Sequence, residues 1–477
     1  MKNGCELYRL VYDYYSIRIL FGLYSYGSSL PSIPKISARF QLAVPTVRSA
    51  LNLLEQDGYI KVEASRPAKV IYRAGSDKIK ESVAGYFLPR IDGLRDIEVA
   101  GPLLFDPLWA IALRQWKETD GERLRQALTS LTPGALFMPV AFYSIVFSSL
   151  GNRLLLNLYW EMARYICFPY LPEEHKPQKA LPAFAVWTTS EIIDYLKREY
   201  TSEYTNTTQN LFAFLEEICP KYSMKQWDPV PFEWNICWPR PQMRYSLAAD
   251  IIQKVITGFY PSGSYLPSLT QMSQQYGVAV STVRRTLNIL SHLGVVKSYQ
   301  GKGTQIFMSP HCMDLSQSDA QGVLTACMES LQLLAWTART VSLFTFESAS
   351  EEKLETLATQ LRKIRQDKKS YLYMQTILSF IIENCPSAMV RECYRELFKL
   401  LICGYPLIQL RLKSKKLNQD YCQALSETEC YLNNRDLNGF VNEWSNFLSR
   451  EQQQTQTFFV RLLRTPESYL DLLDDIE

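Results

Sequence analysis

Two hydroxyl side chains followed almost at once by two arginines, Ser281-Thr282-Val283-Arg284-Arg285, make the most chemically pointed stretch of the chain. If this stretch opens a helix, the hydroxyls and the first amides of the helix offer donors to a phosphate oxygen, because those amides have no partner inside the helix. Arg284, on the first turn and facing away from Val283 and Leu287, can reach the floor of the major groove. There a guanidinium matches guanine in a bidentate way. Further on, Gly301-Lys302-Gly303-Thr304 lies between two β-like runs, as an ordinary hairpin turn or as a backbone cradle for phosphate. A nucleotide P-loop needs the longer Gly-x-x-x-x-Gly-Lys spacing with a helix behind it, and here a strand-like run follows. An arginine on an exposed helix face is ordinarily only a solvated charge, so the surrounding pattern has to carry the reading.

That pattern occurs twice. A displacement of 236 residues places Gly22 on Gly258, Tyr24 on Tyr260, Gly27-Ser28 on Gly263-Ser264 and Leu30-Pro31-Ser32 on Leu266-Pro267-Ser268. Without a gap, Ala43-Val44 then falls on Ala279-Val280, Thr46-Val47-Arg48 on Thr282-Val283-Arg284, Leu51-Asn52 on Leu287-Asn288, Leu54 on Leu290 and Gly58 on Gly294. A fainter echo follows each copy: Ile145 and Asn152 match Ile377 and Asn384 at 232, Tyr159 and Glu161 match Tyr394 and Glu396 at 235, and Ile166-Cys167 matches Ile402-Cys403 at 236. One ancestral two-domain unit, duplicated head to tail and joined near Trp227 to Pro241, accounts for both.

Within the second copy, apolar residues at helical spacing predict a first helix over Tyr245 to Ile256, stopped by Gly258 and Pro261. Ser268 caps a second short helix running to Tyr276. Gly277-Val278 turns the chain into a third helix over Ser281 to Leu293, with Val283, Leu287 and Leu290 inward. The runs Val295 to Tyr299 and Gln305 to Met308 then form a β-hairpin wing.

These residues resemble the GntR family of bacterial regulators, whose signature joins a Gly-x-x-Leu-Pro-Ser stretch, a Gly-Val-x-x-x-Thr-Val-Arg start to the recognition helix, a following Leu and Gly, and a Gly-x-Gly-Thr wing. Residues 263 to 304 show all of it and the first copy most of it. The resemblance implies a mainly α protein, with two winged helix-turn-helix modules of three helices plus a hairpin wing, each followed by an all-helical bundle. It also implies a ligand-responsive transcription repressor or activator whose partner is a double-stranded DNA operator. The DNA-contacting set is expected to be Thr46, Arg48, Ser268, Ser281, Thr282 and Arg284, with the wing residues Gly303 and Thr304. Lys35, Arg39, Arg66, Arg285 and Lys302 would mostly add phosphate contacts. Two family arginines are missing: their positions hold Pro34 and Val44 in the first copy, Thr270 and Val280 in the second, which implies weaker or altered base reading. In the first wing, Ser65-Arg66-Pro67-Ala68 replaces the two glycines, and Arg66 and Lys69 keep the charge. A scaffold whose first module no longer binds DNA is the alternative. A branch fused to an aminotransferase-like domain would need a large α/β domain with a cofactor lysine, which the helical patterning opposes.

Composition agrees with four domains: residues 1–75 and 239–309 as the modules, 76–238 and 310–477 as helical, effector-like domains. Residues 1–74 hold ten Lys and Arg against five Asp and Glu, and 239–309 hold seven against one, although the whole chain is only +3. Two basic islands in an otherwise acidic chain suit two phosphate footprints. Helical spacing recurs at Leu108 to Trp116 and Leu354 to Ile364. The pattern Phe142-Tyr143-x-Ile145-x-x-Ser148-Ser149-Leu150-x-Asn152-x-Leu154-Leu155 looks like the all-helical effector domain of the GntR branch that responds to small carboxylic acids. That branch often holds a metal with histidines. The three here, His175, His292 and His311, have no ligand spacing, so no metal, no cofactor and no catalytic triad are expected. The aromatics Tyr159-Trp160 and Tyr371 with Tyr373 are expected in cores rather than lining a pocket. The eleven cysteines lack CxxC pairs, and Cys5, Cys167, Cys219, Cys327, Cys393 and Cys403 read as buried thiols. No signal core opens the chain, and the longest apolar stretch, Ala135 to Leu150, is broken by Pro139 and three serines. A cytoplasmic protein without a membrane partner is the expectation. Since single-module relatives dimerise, two units in one chain imply an intrachain pseudo-dimer, with further oligomerisation open.

Overall fold

The computed structural model describes residues 7–40, 42–63, 66–116, 118–129, 146–166, 186–195, 198, 209, 212–213, 215–216, 227–236, 243–309, 312–411 and 415–464. The chain divides into two compact units, one of Met1–Glu98 with Trp109–Glu233, the other of Val99–Leu108 with Trp234–Glu477. It is mainly α, and the strands described form two small antiparallel pairs.

The first unit opens with α1 (Leu7–Leu20), α2 (Ile33–Phe40) and α3 (Val44–Gln56), then the hairpin β1 (Ile60–Lys61) and β2 (Lys69–Val70). Helices α4 (Ser76–Phe87), α5 (Ile91–Gln115), α6 (Glu118–Thr129) and α7 (Arg153–Ile166) follow. Helix α5 runs unbroken through Pro102 and Pro107, where breaks would be expected because proline donates no hydrogen bond. Pro107 leaves the Leu103 carbonyl, within the stretch assigned to the second unit, without its usual donor, and the Thr340 hydroxyl takes that place at 2.7 Å.

The second unit repeats the opening as α8 (Met243–Ile256), α9 (Leu269–Tyr276), α10 (Val280–His292), β3 (Val296–Tyr299) and β4 (Gly303–Ile306). A bundle follows: α11 (Ser318–Glu347), α12 (Glu351–Gln366), α13 (Tyr373–Asn384), α14 (Ala388–Cys403), α15 (Tyr405–Arg411), α16 (Lys415–Asn433) and α17 (Leu437–Arg464). Helix α11 is the axis of this bundle, with buried residues along its length and α14 and α17 packed on it. Tyr373 meets Trp444 and Phe447 edge-on, and Phe346 packs on Phe380 and Phe440.

The fainter echo has a structural counterpart. Helix α7 packs on α1 and α14 on α8, so each module rests on its own bundle through its first helix. The seven buried residues of α7, Leu154, Leu155, Leu158, Tyr159, Glu161, Met162 and Tyr165, map at a constant 235 onto Met389, Val390, Cys393, Tyr394, Glu396, Leu397 and Leu400, all buried in α14. Asn152 therefore pairs with Ser387, not with Asn384: the Asn152 side chain accepts from the Leu155 amide at the start of α7, as the Ser387 hydroxyl does from Val390 at the start of α14. Glu161 binds Arg164 as Glu396 binds Lys399, again at 235. The sequence match of Ile166-Cys167 to Ile402-Cys403 is one residue out of this frame. Residues Phe142, Tyr143, Ile145, Cys5, Cys167, Cys219, His175 and His311 lie outside the described residues, while Cys327, Cys393 and Cys403 are buried free thiols. Tyr159 and Tyr373 are core residues.

Inside the bundle, Arg411 and Glu451 form an ion pair at 2.6 Å with side-chain exposures of 5% and 1%, and Arg411 also donates to Gln454 and Thr455. Removing one member strands a charge away from water, at a cost of about 3–5 kcal/mol. Glu451→Ala is therefore expected to lower the urea midpoint sharply. Arg435→Ala, which breaks a pair exposed at 80% and 82%, should leave that midpoint in place. Equal shifts in the two variants would contradict this account of the bundle.

Candidate nucleic-acid interface

Each module is built around its third helix. Val47, Ala50, Leu51 and Leu54 are buried in α3, and Val283, Thr286, Leu287 and Leu290 occupy the same places in α10, packed on α1 and α8 respectively. This stripe dictates the opposite face. In α10 the exposed residues are Val280, Ser281, Arg284, Arg285, Asn288 and Ser291, a strip on successive turns; in α3 they include Pro45, Arg48, Ser49 and Asn52. Arg48 and Arg284 stand on these strips. Asn52, Val280 and Asn288 share them; none of the three belongs to the expected DNA-contacting set, although the spacing of the buried residues already implies their place.

The start of each helix is unusual. The N-cap residues are Ala43 and Ala279, neither of which offers a side-chain acceptor. Ser, Thr, Asp or Asn would ordinarily occupy that position and satisfy a first-turn amide. The Thr282 amide is taken by the Ala279 carbonyl at 2.8 Å, and without a side-chain cap the amides before it in α10 are left to an acceptor from outside, where the partial positive charge of the helix end favours an anion. Thr282 and Thr46 are half-buried beside this end, and Ser281 is exposed on it. In α3 the residue matching Ser281 is Pro45, which has no N–H, so that end offers one donor fewer.

Helix α9 orients the turn. The Ser268 hydroxyl accepts from the Gln271 amide and Gln271 Oε1 accepts from the Ser268 amide, a reciprocal cap. Ser268 is exposed, but its oxygen is already engaged in holding α9. In both modules a serine, Ser37 or Ser273, donates across the turn to the carbonyl of Leu42 or Val278 at 2.5 Å. Asp250 ties α8 to α9: Tyr276 donates to it at 2.5 Å and Lys254 lies 2.8 Å away. Burial and the Asp250 contact push the Tyr276 hydroxyl up to about 12, and although burial opposes charge on Lys254, its bonds to Asp250 and Tyr276 outweigh that and raise it. The same positions in the first module are Tyr14, Arg18 and Phe40, joined by ring packing and by the Arg18 guanidinium 4.2 Å over Tyr14.

The two wings differ in the length of their ladders. The second pairs Val296 with Ile306, Lys297 with Gln305, Ser298 with Thr304 and Tyr299 with Gly303. Gly303 and Thr304 therefore belong to the strand and not to the turn that the sequence suggested; the turn proper is Gln300-Gly301-Lys302, closed by the Lys302 amide on the Tyr299 carbonyl at 3.2 Å. Gly303 has φ +99, which other residues rarely adopt. The first wing has Pro67 at this position, and its ladder shrinks to Ile60 with Val70 and Lys61 with Lys69. Lys302 is exposed at the wing tip, and the Thr304 hydroxyl shares a hydrogen bond with Ser298 at 3.0 Å.

Charge separates the modules further. Asp250 is the sole acidic residue of 239–309 and is held by Lys254 and Tyr276. In the first module Arg66 pairs with Glu63 at 3.4 Å and Lys61 with Glu55 at 3.7 Å, so its wing cations are partly neutralised. Lys35 is exposed on α2; Arg39 belongs to the same helix, with its side chain outside what the structure describes. Among the described residues no three His, Cys, Asp or Glu side chains gather as metal ligands, and no helix is long and apolar enough to cross a membrane.

Comparison with known proteins places these segments. The profile of the bacterial regulatory proteins of the gntR family matches residues 7–70 and again 244–306, together a little over a quarter of the chain. No curated protein matches it. Among solved structures, Streptococcus agalactiae GntR is similar at 14% identity over 44% of this chain and 99% of that one, with a TM-score of 0.20. E. coli McbR/YncC is similar at 10% over 46% and 100%, with 0.27, and a putative transcriptional regulator GntR from Rhodococcus sp. RHA1 at 11% over 45% and 97%, with 0.26. The assignment rests on the two matched segments, both of which fold as the three helices and wing just described. Two segments of the chain, residues 7–70 and 244–306, are thus modules of the gntR family of bacterial regulatory proteins, and the chain carries that winged helix-turn-helix module twice.

Proposed function

We propose that the second module is the principal reader of a DNA operator and that the first supplies a second, weaker half-site contact. The observation that carries this is the strip on α10: Arg284 and Arg285 flank an uncapped helix end in a module whose single carboxylate is already engaged. In this reading Arg284 recognises guanine; Ser281 and Thr282 bind phosphate beside the free helix end. Arg285 and Lys302 add phosphate contacts, with the backbone at Gly303 and Thr304 approaching the duplex closely. Thr46 and Arg48 do the corresponding work in the first module, with Lys35, Arg39 and Arg66 around them, and Ser268 acts by holding α9.

Duplication of the whole unit supports an intrachain pseudo-dimer, in which one chain brings two recognition helices to an operator. Because Pro45 and Ser49 stand where Ser281 and Arg285 do, the operator is an imperfect palindrome. The helical segments behind each module carry the response to a small-molecule effector, as in the branch they resemble, and the protein acts in the cytoplasm. The neutralised cations and shortened ladder of the first wing favour a second reading in which that module is structural only.

Salt-dependent binding of the full chain to genomic fragments tests the proposal. Arg284→Ala is expected to remove about 1–3 kcal/mol of specific binding with the fold intact; unchanged affinity at moderate salt would refute its role. Lys302→Ala is expected to weaken binding to every sequence alike and to lower the salt slope by about one unit, whereas loss confined to one base pair would make it a base reader instead.

A further inference from the structure

The first residue of α10 is apolar and exposed. Val280 keeps 37% of its surface in solvent, on the same strip as Arg284 and one turn before it. Val283 and Leu287, on the opposite face, are buried, so the module's core does not need Val280. Polar groups surround it: Ser281 next in the chain, Arg284 one turn on and the uncapped amides of the first turn. A valine here cannot donate or accept a hydrogen bond, so it gives no readout of a base's polar edge. The apolar group that the major groove does present is the C5-methyl of thymine.

We propose that Val280 is a specificity-determining residue that reads a pyrimidine C5-methyl group, and that the operator therefore carries a thymine beside the guanine met by Arg284. The inference rests on the DNA-reading role given above to α10. Four residues of helix advance about 6 Å, against a base step of about 3.4 Å, so the thymine lies about two base steps from that guanine. The recognised chemistry is the methyl group itself, whether on thymine or on 5-methylcytosine. Val44 holds the matching place on α3 and is half-buried, which gives the first module a weaker form of the same contact.

The test begins by selecting binding sites for the full-length chain from a randomised duplex. Each thymine of the selected site is then replaced by uracil, which deletes only the methyl. Uracil is expected to weaken wild-type binding about fourfold at one position, the transfer of one methyl-sized group out of water. That position should lie about two base steps from the guanine to which Arg284→Ala becomes indifferent, and cytosine there should be rescued in part by 5-methylcytosine. Val280→Ala should bind the thymine and uracil sites equally; Val280→Thr, of the same shape and with one methyl fewer, serves if the alanine variant fails to fold and should show a reduced ratio. A selected site in which uracil is tolerated throughout, or costs the variants as much as the wild type, would overturn the inference and leave the regulator reading standing. Selection of no site at all would overturn both.

Discussion

Burial of one apolar stripe on each third helix is the constraint from which the interface follows. Val283, Leu287 and Leu290 are closed off in α10 as Val47, Leu51 and Leu54 are in α3. Each such side chain contributes about 1.5–3 kcal/mol when fully buried, more than the few tenths by which helix propensities of ordinary residues differ. Rotation of either helix about its axis is thereby set. With a period of 3.6 residues, the face left to solvent must carry Arg284 in one copy and Arg48 in the other. The arginines need no structural partner of their own, because the stripe behind them does the positioning.

The same constraint explains what the two copies kept and what they lost. The first helices α1 and α8 each rest on a bundle helix, and the seven buried positions of α7 and α14 coincide at 235 although few of the residues are identical. Burial was conserved between the copies where identity was not. On the exposed side nothing held the residues fixed: Ser281 corresponds in sequence to Pro45, Arg285 to Ser49 and Gly303 to Pro67. Each change removes a donor, a charge or a backbone freedom from the first module, while Glu63 and Glu55 engage two of its wing cations. Elsewhere the first module has gained cations, with Lys35 and Arg39 where the second has Gln271 and Gln275.

Much of this was legible in the residues. Ser268 as a cap, the turn at Gly277 and the placing of Arg284 opposite Val283 and Leu287 follow from local rules and hold in the structure. The register of the second repeat was not legible, since single identities such as Asn152 with Asn384 are cheap in helical sequence. What the two copies share is a cap and a burial pattern, and Ser387 supplies the cap with a different residue. The continuous helix through Pro102 and Pro107 was hidden for a related reason: a donor far away in sequence, Thr340, takes up one carbonyl that proline leaves open. Ion pairing was hidden too, and it changes the reading of Arg66 from a wing cation to one shared with Glu63.

The proposed pseudo-dimer has one chain doing what two subunits do in single-module relatives. It is tested most directly by measuring the mass of the free chain and of its complex with DNA, together with the footprint of the wild type, Arg48→Ala and Arg284→Ala. One chain protecting two unequal half-sites about 34 Å apart, each lost with its own arginine, is the predicted result. An obligate homodimer whose footprint depends on Arg284 and ignores Arg48 would contradict it.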